Sequence, residues 1–136
     1  MYLIYKPADG DEQRWKYSPK RGIVTPEREL IERLTDRNWS LFAQDVVQGN
    51  SLCRRALLFV FLKRQHPQLK FADVAFEWDE LTLEYSKGEL IMMRDEVASV
   101  ATGDDAYAAL QKLQEQIDEA YEDPDEQGKA SLPIAE

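Results

Sequence analysis

Residues 49–67, GNSLCRRALLFVFLKRQHP, hold the least polar run of a highly charged chain. Seven consecutive apolar residues, Ala56 to Leu62, stand between an arginine pair and a Lys-Arg pair. At about 100° per residue, such a run covers the whole circumference of a helix. It is far shorter than the roughly 20 residues that cross a bilayer. Because a helix that is apolar on every side is normally buried, the run predicts a helix covered by protein.

The sequence leaves open which protein surface buries this helix, and two interpretations are possible. In the first, it is a core helix wrapped by the rest of the same chain. In the second, part of its surface, near Phe59 and Phe61, is shared with a helix of another protein, and the C-terminal helix acts as a movable cover. The second interpretation is motivated by the small number of other elements that a chain of 136 residues contains.

The segments around the run predict an α+β fold, mainly α, in which an N-terminal β-hairpin precedes a small helical bundle and an acidic C-terminal helix. Alternating residues on both sides of Asp9-Gly10 predict the hairpin, because Asp-Gly readily adopts positive φ. Thr25-Pro26-Glu27 is typical of a helix start, with Thr25 as its cap. Gly49 and Pro67 are typical of helix ends. The predicted helices lie at about residues 26–36, 39–48 and 51–66.

Beyond Pro67 the apolar periodicity changes. Leu81, Leu83 and Tyr85 alternate as in a short strand, and the apolar stretch 90–93 fits a helix or a strand equally. We predict a globular domain over residues 1–102, an amphipathic acidic helix over 103–122 and a disordered acidic tail over 123–136. The acidic helix carries a narrow apolar stripe with steps of four and three, formed by Ala106, Leu110, Leu113, Ile117 and Ala120.

Charge is unevenly distributed along the chain. The net charge is −9, and residues 103–136 alone contain ten acidic residues and two lysines, a net charge of −8. Such a segment repels nucleic acid and favours solubility, so we expect no nucleic-acid partner. We also expect no membrane partner. No signal peptide is recognisable at the N-terminus, and the expected location is the cytoplasm.

No sequence pattern predicts catalysis, a metal site or a bound cofactor. His66, the one histidine, lies beside Pro67 at a helix end, where a cation suits the helix dipole. Cys53, the one cysteine, excludes an internal disulfide and is expected in the core. The carboxylates of Asp104, Glu115 and their neighbours are expected on a solvated helix face. We therefore do not expect an enzyme.

The order of several short motifs resembles that of the small tail assembly chaperones of long-tailed phages and prophages of actinobacteria. The resemblance covers roughly residues 13–76, about half of the chain. Thr35 stands where those proteins have the first residue of a Thr-Gly pair, but Asp36 replaces the glycine. The other matching positions are Trp39, Ser51, the apolar run Ala56 to Leu62, Lys63-Arg64, Pro67 and Asp73-Val74.

The resemblance implies a non-catalytic role. Chaperones of this family bind the tape-measure protein, a very long helical chain with exposed apolar stripes, and keep it soluble while the tail assembles. It also implies action in the host cytoplasm and absence from the mature virion. Many weak contacts along one client would act by avidity. We expect contacts with this client, or self-association, through Leu57, Phe59, Phe61, Leu110, Leu113 and Ile117.

Two other classes of protein remain open from the sequence. A structural virion protein, such as a head-to-tail adaptor, would persist in finished particles. An acidic regulatory adaptor or inhibitor would use its tail as a nucleic-acid mimic, and it would lose activity when residues 123–136 are removed.

Overall fold

The structure, a computed structural model, describes residues 1–100 and 102–124. It confirms the predicted α+β class with mainly helical content. The chain divides into a first unit, Met1–Glu84, and a second unit that begins at Tyr85. The strands are β1 (Tyr2–Tyr5), β2 (Gln13–Lys16) and β3 (Leu81–Glu84). The helices are α1 (Thr25–Thr35), α2 (Trp39–Val47), α3 (Ser51–Gln65), α4 (Lys87–Val100) and α5 (Asp104–Glu119).

The first unit contains an antiparallel sheet of strand order β2-β1-β3. The predicted hairpin is confirmed, since β1 pairs with β2, and β3 adds a third strand on the other side of β1. Leu3 in the central strand lies opposite both Trp15 and Leu83. All of these side chains pack against the core cluster. This face of the sheet therefore covers the helices of the first unit.

The helices of the first unit begin and end close to the predicted positions. The cap of α1 is one residue earlier than predicted, at Val24 rather than Thr25. The reason is that the Glu27 carboxylate accepts a hydrogen bond of 3.2 Å from the Val24 N–H, which stabilises the first turn without a hydroxyl cap. At the other end, Asp36 adopts the left-handed conformation, with φ 51° and ψ 45°. It takes the place that glycine usually has at a helix end.

The turn between α2 and α3 follows the sequence signals closely. Gly49 has a φ of +90°, a conformation that glycine adopts without steric cost. The Asn50 side chain then accepts a hydrogen bond of 3.0 Å from the Cys53 N–H and caps α3. The helix ends at Gln65, before Pro67, as predicted.

α3 is the central core helix of the first unit. Every residue from Ala56 to Phe61 is buried, and the side chains from Leu57 to Phe61 belong to one hydrophobic cluster with α1, α2 and the sheet. Trp15 of β2 stacks on Phe61 with 5.4 Å between ring centroids. Phe71 packs edge-on against Phe59 at 5.4 Å. The structure therefore corresponds to the first interpretation of the apolar run, in which the same chain wraps the helix.

The segment between α3 and β3 is held on α3 by an arginine. Nε of Arg55 donates a hydrogen bond of 2.6 Å to the Val74 carbonyl oxygen, and its Nη2 donates one of 2.7 Å to the Phe71 carbonyl oxygen. The guanidinium also lies 4.0 Å from the centre of the Phe71 ring. Two short 3-10 turns, Phe71–Asp73 and Trp78–Glu80, order this segment before the chain enters the sheet.

The second unit is an antiparallel helical hairpin of α4 and α5. The predicted acidic helix is confirmed as α5, and the ambiguous apolar stretch 90–93 belongs to α4. Because α4 and α5 belong to one unit, the division of the chain falls after Glu84 rather than after the predicted residue 102. Most of the predicted disordered tail, residues 125–136, lies outside the described residues.

Candidate protein-binding surface

The residues predicted to bind a client are placed in two different environments. Leu57, Phe59 and Phe61 lie in the core of the first unit, with exposed fractions of 0%, 4% and 1%. Leu110 and Leu113 are half-buried in α5, and Ile117 is buried. Each unit thus brings three of these residues together. None of the three in α3 presents apolar surface to a partner, because the first unit's own core already covers them.

The large apolar side chains that are exposed lie elsewhere. Among the described residues, three of these side chains in the second unit are the most exposed, since Met92, Val100 and Tyr107 have exposed fractions of 72%, 77% and 65%. Isolated exposed apolar residues are common on soluble proteins, so their grouping matters more than their number. The other large apolar side chains exposed in residues 1–100 and 102–124 are Val24, Leu41, Val47, Leu52, Trp78, Tyr85 and Tyr121.

A groove along α4 collects part of this exposed apolar surface. It has a volume of about 530 Å³, within the range of roughly 300–1,000 Å³ that binding clefts have. Glu89, Met92, Met93 and Glu96 in this lining recur at steps of three and four, which places them on one face of α4. We call this feature the α4 groove, and it is lined by Tyr85, Glu89, Met92, Met93, Asp95 and Glu96.

Three of the six residues that line the α4 groove are acidic, namely Glu89, Asp95 and Glu96. Residues 85–124 contain ten acidic and three basic residues, a net charge of −7, whereas residues 1–84 contain thirteen of each. The Asp95 carboxylate forms an ion pair with the guanidinium of the adjacent Arg94, with 3.2 Å between Oδ1 and Nη2. Glu96 is exposed on the rim of the groove. The potential at the groove is therefore negative, and it favours a cationic partner.

Hydrogen bonds fix the start of α4 and its register against α5. The Ser86 N–H donates a hydrogen bond of 2.8 Å to the Glu89 carboxylate, and the Ser86 hydroxyl oxygen accepts one of 3.1 Å from the Glu89 N–H. This reciprocal pair is a capping box. Arg94 donates a hydrogen bond of 2.9 Å to the Gln114 side chain, and Lys87 lies 3.3 Å from Glu122. The hairpin is thus a defined platform for the groove.

A second, smaller apolar surface lies at the turn between α2 and α3. Trp78 is about half exposed, and the guanidinium of Arg54 lies 5.5 Å from the centre of its ring. Arg54 also donates hydrogen bonds to the carbonyl oxygens of Val46 and Val47, at 2.9 and 3.3 Å. A Cβ atom at Gly49 would lie 3.8 Å from the Trp78 ring. Arg54 covers part of this surface.

The groups considered for chemistry are not among the residues that line the α4 groove. His66 is exposed at the end of α3. Cys53 is buried, and burial raises the pKa of its thiol, which makes it a weak nucleophile at neutral pH. Burial also raises the pKa of Tyr17 to about 12. Within residues 1–100 and 102–124, no group of three or more His, Cys, Asp or Glu residues is placed to hold a metal ion. No helix in the same ranges is long and apolar enough to cross a membrane.

No protein-family model, curated protein or solved structure matches the chain.

The sequence reasoning missed the exposed apolar residues of α4. The available signal was the spacing of Glu89, Met92, Met93 and Glu96, which places two methionines and two carboxylates on one helical face. That spacing places the four side chains on one face only if the segment is a helix. Since the segment fits a strand equally well from its apolar residues, the pattern was ambiguous without the structure.

Proposed function

We propose that the chain is a non-catalytic tail assembly chaperone of a long-tailed phage or prophage, which binds the tape-measure protein and keeps it soluble during tail assembly. The observation that carries this proposal is the apolar α4 groove on a strongly acidic helical hairpin. A chaperone for a helical client needs apolar surface for binding. It also needs like charge, so that neighbouring copies repel each other and the complex stays dissolved.

The placement of the motifs that resemble those of tail assembly chaperones supports the proposal. Thr35 and Asp36 lie at the end of α1, Trp39 begins α2 and Ser51 begins α3. These positions set the lengths and connections of the helices. Motifs at helix boundaries carry more information about the fold than the same residues on an exposed face would carry. The resemblance therefore concerns the scaffold of the first unit, and the proposed client surface lies in the second.

The client is proposed to contact the second unit rather than α3. The earlier expectation placed half of the contacts on Leu57, Phe59 and Phe61, which are buried in the first unit. Contact through them would require the unit to open and would expose its core to water. Met92 and Tyr107 are exposed without any such change. We therefore assign the client contact to the exposed apolar side chains of the hairpin.

Co-expression tests this function directly. A fragment of the tape-measure protein from the same phage or prophage is produced alone, with this chain, or with an unrelated acidic protein of similar size and charge. We expect a larger soluble fraction of the fragment only with this chain. An equal soluble fraction of the fragment in all three cultures would contradict the proposal. If the unrelated acidic protein raised the soluble fraction as much as this chain does, the effect would come from acidic charge alone, which would also contradict the proposal.

The same acidic hairpin would also suit a permanent contact in a virion, so a structural virion protein is the second candidate function. The two candidates differ in where the protein ends up. An assembly chaperone acts in the host cytoplasm and is absent from finished particles, whereas a head-to-tail adaptor remains in them. Mass spectrometry of purified particles separates these candidates, and a stoichiometric amount of this chain in the particles would favour the adaptor.

A further inference from the structure

We infer that the α4 groove recognises a basic amphipathic helix. In this arrangement one apolar anchor side chain of the partner lies among Tyr85, Met92 and Met93. A Lys or Arg about one turn away pairs with Glu96. This inference rests on the proposed function, because it gives the chemical class of the client segment that the hairpin would bind.

The apolar part of the groove suits an anchor of variable shape. Met92 and Met93 are adjacent, unbranched and polarizable, and Met92 is exposed while Met93 is half-buried. Methionine side chains can rearrange around different apolar groups, and surfaces rich in methionine bind several related helices. Tyr85 adds a flat aromatic side at the end of the groove. A long client with many slightly different apolar stripes requires this kind of tolerance.

The rim of the groove determines the charge of the partner. Glu96 lies three and four residues beyond Met93 and Met92, so its carboxylate is about one turn from the apolar floor. Asp95 already forms an ion pair with Arg94, at 3.2 Å. We therefore assign the main ionic contact with the partner to Glu96. The net charge of −7 over residues 85–124 adds a long-range attraction for cations. An acidic helix or a nucleic acid would be repelled by the same field.

The extent of the groove fits a helix rather than a single side chain. Along α4 it runs from Glu89 to Glu96, which at 1.5 Å per residue corresponds to about 10 Å, or two helical turns. A partner helix lying against these two turns presents an anchor and a residue three or four positions away on the same face. The distance between the methionines and Glu96 matches that spacing. The partner is therefore expected to carry an apolar residue followed or preceded by Lys or Arg at one-turn spacing.

Binding of synthetic peptides to the full chain tests this inference. The first fluorescently labelled peptide has leucines on one helical face and lysines beside them. The second carries glutamates in place of the lysines, and the third is a scrambled version of the first. Fluorescence anisotropy gives the affinity of each. We expect the first peptide to bind at least about tenfold more tightly than the other two.

Two pairs of variants locate the binding site. Met92→Gln is compared with Val24→Gln, since both side chains are exposed but Val24 lies in the first unit. Glu96→Gln is compared with Glu115→Gln, since both remove one exposed carboxylate from the second unit. Circular dichroism confirms that each variant is folded. We expect Met92→Gln and Glu96→Gln to weaken binding of the first peptide by about tenfold or more, and the controls to change it by less than about twofold.

The outcomes separate this inference from the proposed function. Equal binding of the lysine and glutamate peptides, or equal losses in each pair of variants, would overturn the groove assignment. If the wild-type chain solubilises the tape-measure fragment and Met92→Gln and Glu96→Gln do so equally well, the proposed function stands and the groove assignment falls. If the wild-type chain fails to solubilise the fragment but binds the lysine peptide through the groove, the recognition stands and the client is a different protein.

Discussion

The indole N–H of Trp39 donates a hydrogen bond of 2.9 Å to the carbonyl oxygen of Pro19. This bond joins the first residue of α2 to the loop that follows the hairpin. The same residue stacks on Phe42 with 5.0 Å between ring centroids, and its backbone N–H donates to the Glu32 carboxylate at 2.8 Å. Trp39 thus connects the sheet side of the first unit to α1 and α2. A tryptophan at this position therefore has a structural role in the first unit.

Replacing Trp39 by Phe should lower the free energy of unfolding by about 2 kcal/mol. The substitution leaves the Pro19 carbonyl oxygen without this donor and opens a gap beside Phe42. Urea denaturation followed by circular dichroism measures the change. Trp78→Phe is the matched control, and since Trp78 is about half exposed we expect a change below about 0.5 kcal/mol. Equal losses in the two variants would contradict the assigned role of Trp39.

Truncation of α3 at its apolar positions should affect stability rather than client binding. Phe61 is buried between Trp15 at 5.4 Å and the Arg64 guanidinium at 4.9 Å from its ring centre. We expect Phe61→Ala to lower the free energy of unfolding by about 3–5 kcal/mol. The conservative variant Leu57→Met, at a fully buried site, should cost less than about 1.5 kcal/mol and leave peptide binding unchanged. A folded Phe61→Ala variant of unchanged stability would place this side chain at an interface instead.

Much of the first unit could be predicted from local sequence signals. Gly49 and Asn50 are residues whose backbone or side-chain chemistry specifies a turn and a cap, and the structure uses both in that way. The pairing of β3 with β1 was not predictable in the same way. It joins segments about 80 residues apart, as in the pair Tyr2 and Glu84, and no local pattern specifies a partner at that distance.

Asp36 stands where the chaperone motif that this sequence resembles often has glycine, and it provides a test of that helix end. Its φ of 51° costs a non-glycine residue free energy that glycine avoids. We expect Asp36→Gly to raise the free energy of unfolding by about 0.5–1 kcal/mol, and Asp36→Ala to lower it, because alanine has neither the freedom of glycine nor the local hydrogen bonding of aspartate. Thermal denaturation of the three proteins measures both changes. A destabilised Asp36→Gly variant would contradict this account of the helix end.

The ion pair between Glu27 and Arg64 predicts a pH dependence of stability. The hydrogen bonds from the Arg64 guanidinium, both 2.8 Å, lower the pKa of the Glu27 carboxyl below its ordinary value of 4.5. A carboxyl whose pKa is lowered by folding stabilises the protein above its unfolded pKa. That contribution is lost as the pH falls through the folded pKa. Because both side chains are partly exposed, water screens the pair, and we expect its contribution at pH 7 to be about 1 kcal/mol or less.

The measurement compares wild type with Glu27→Gln across the pH range. We expect wild type to be the more stable protein at pH 7, and the difference to shrink as the pH falls below 4.5. Glu29→Gln is the matched control, since Glu29 is an exposed residue of the same helix. A difference that grows towards acidic pH would contradict the predicted sign.

The candidate site was less predictable than the fold, for a physical reason. Apolar content alone does not distinguish a core helix from an adhesive one, and Phe59 and Phe61 proved to have aromatic partners within the same unit. Met92 is exposed because it lies on the face of α4 that α5 leaves uncovered. That fact depends on how the two helices pack. Sequence periodicity describes the faces of each helix but does not specify which face a neighbouring helix covers.

Site-specific photo-cross-linking shows whether the client lies against the α4 groove. A photoreactive phenylalanine analogue is placed at position 92 of the α4 groove or at position 24 of the first unit, and each protein is co-expressed with the tape-measure fragment. Both native side chains are largely exposed, so either position can report a neighbour. We predict a cross-linked product with the fragment from position 92 and none from position 24. Cross-linking from position 24 alone, or from neither position while the fragment is kept soluble, would contradict the assignment of client binding to the acidic hairpin.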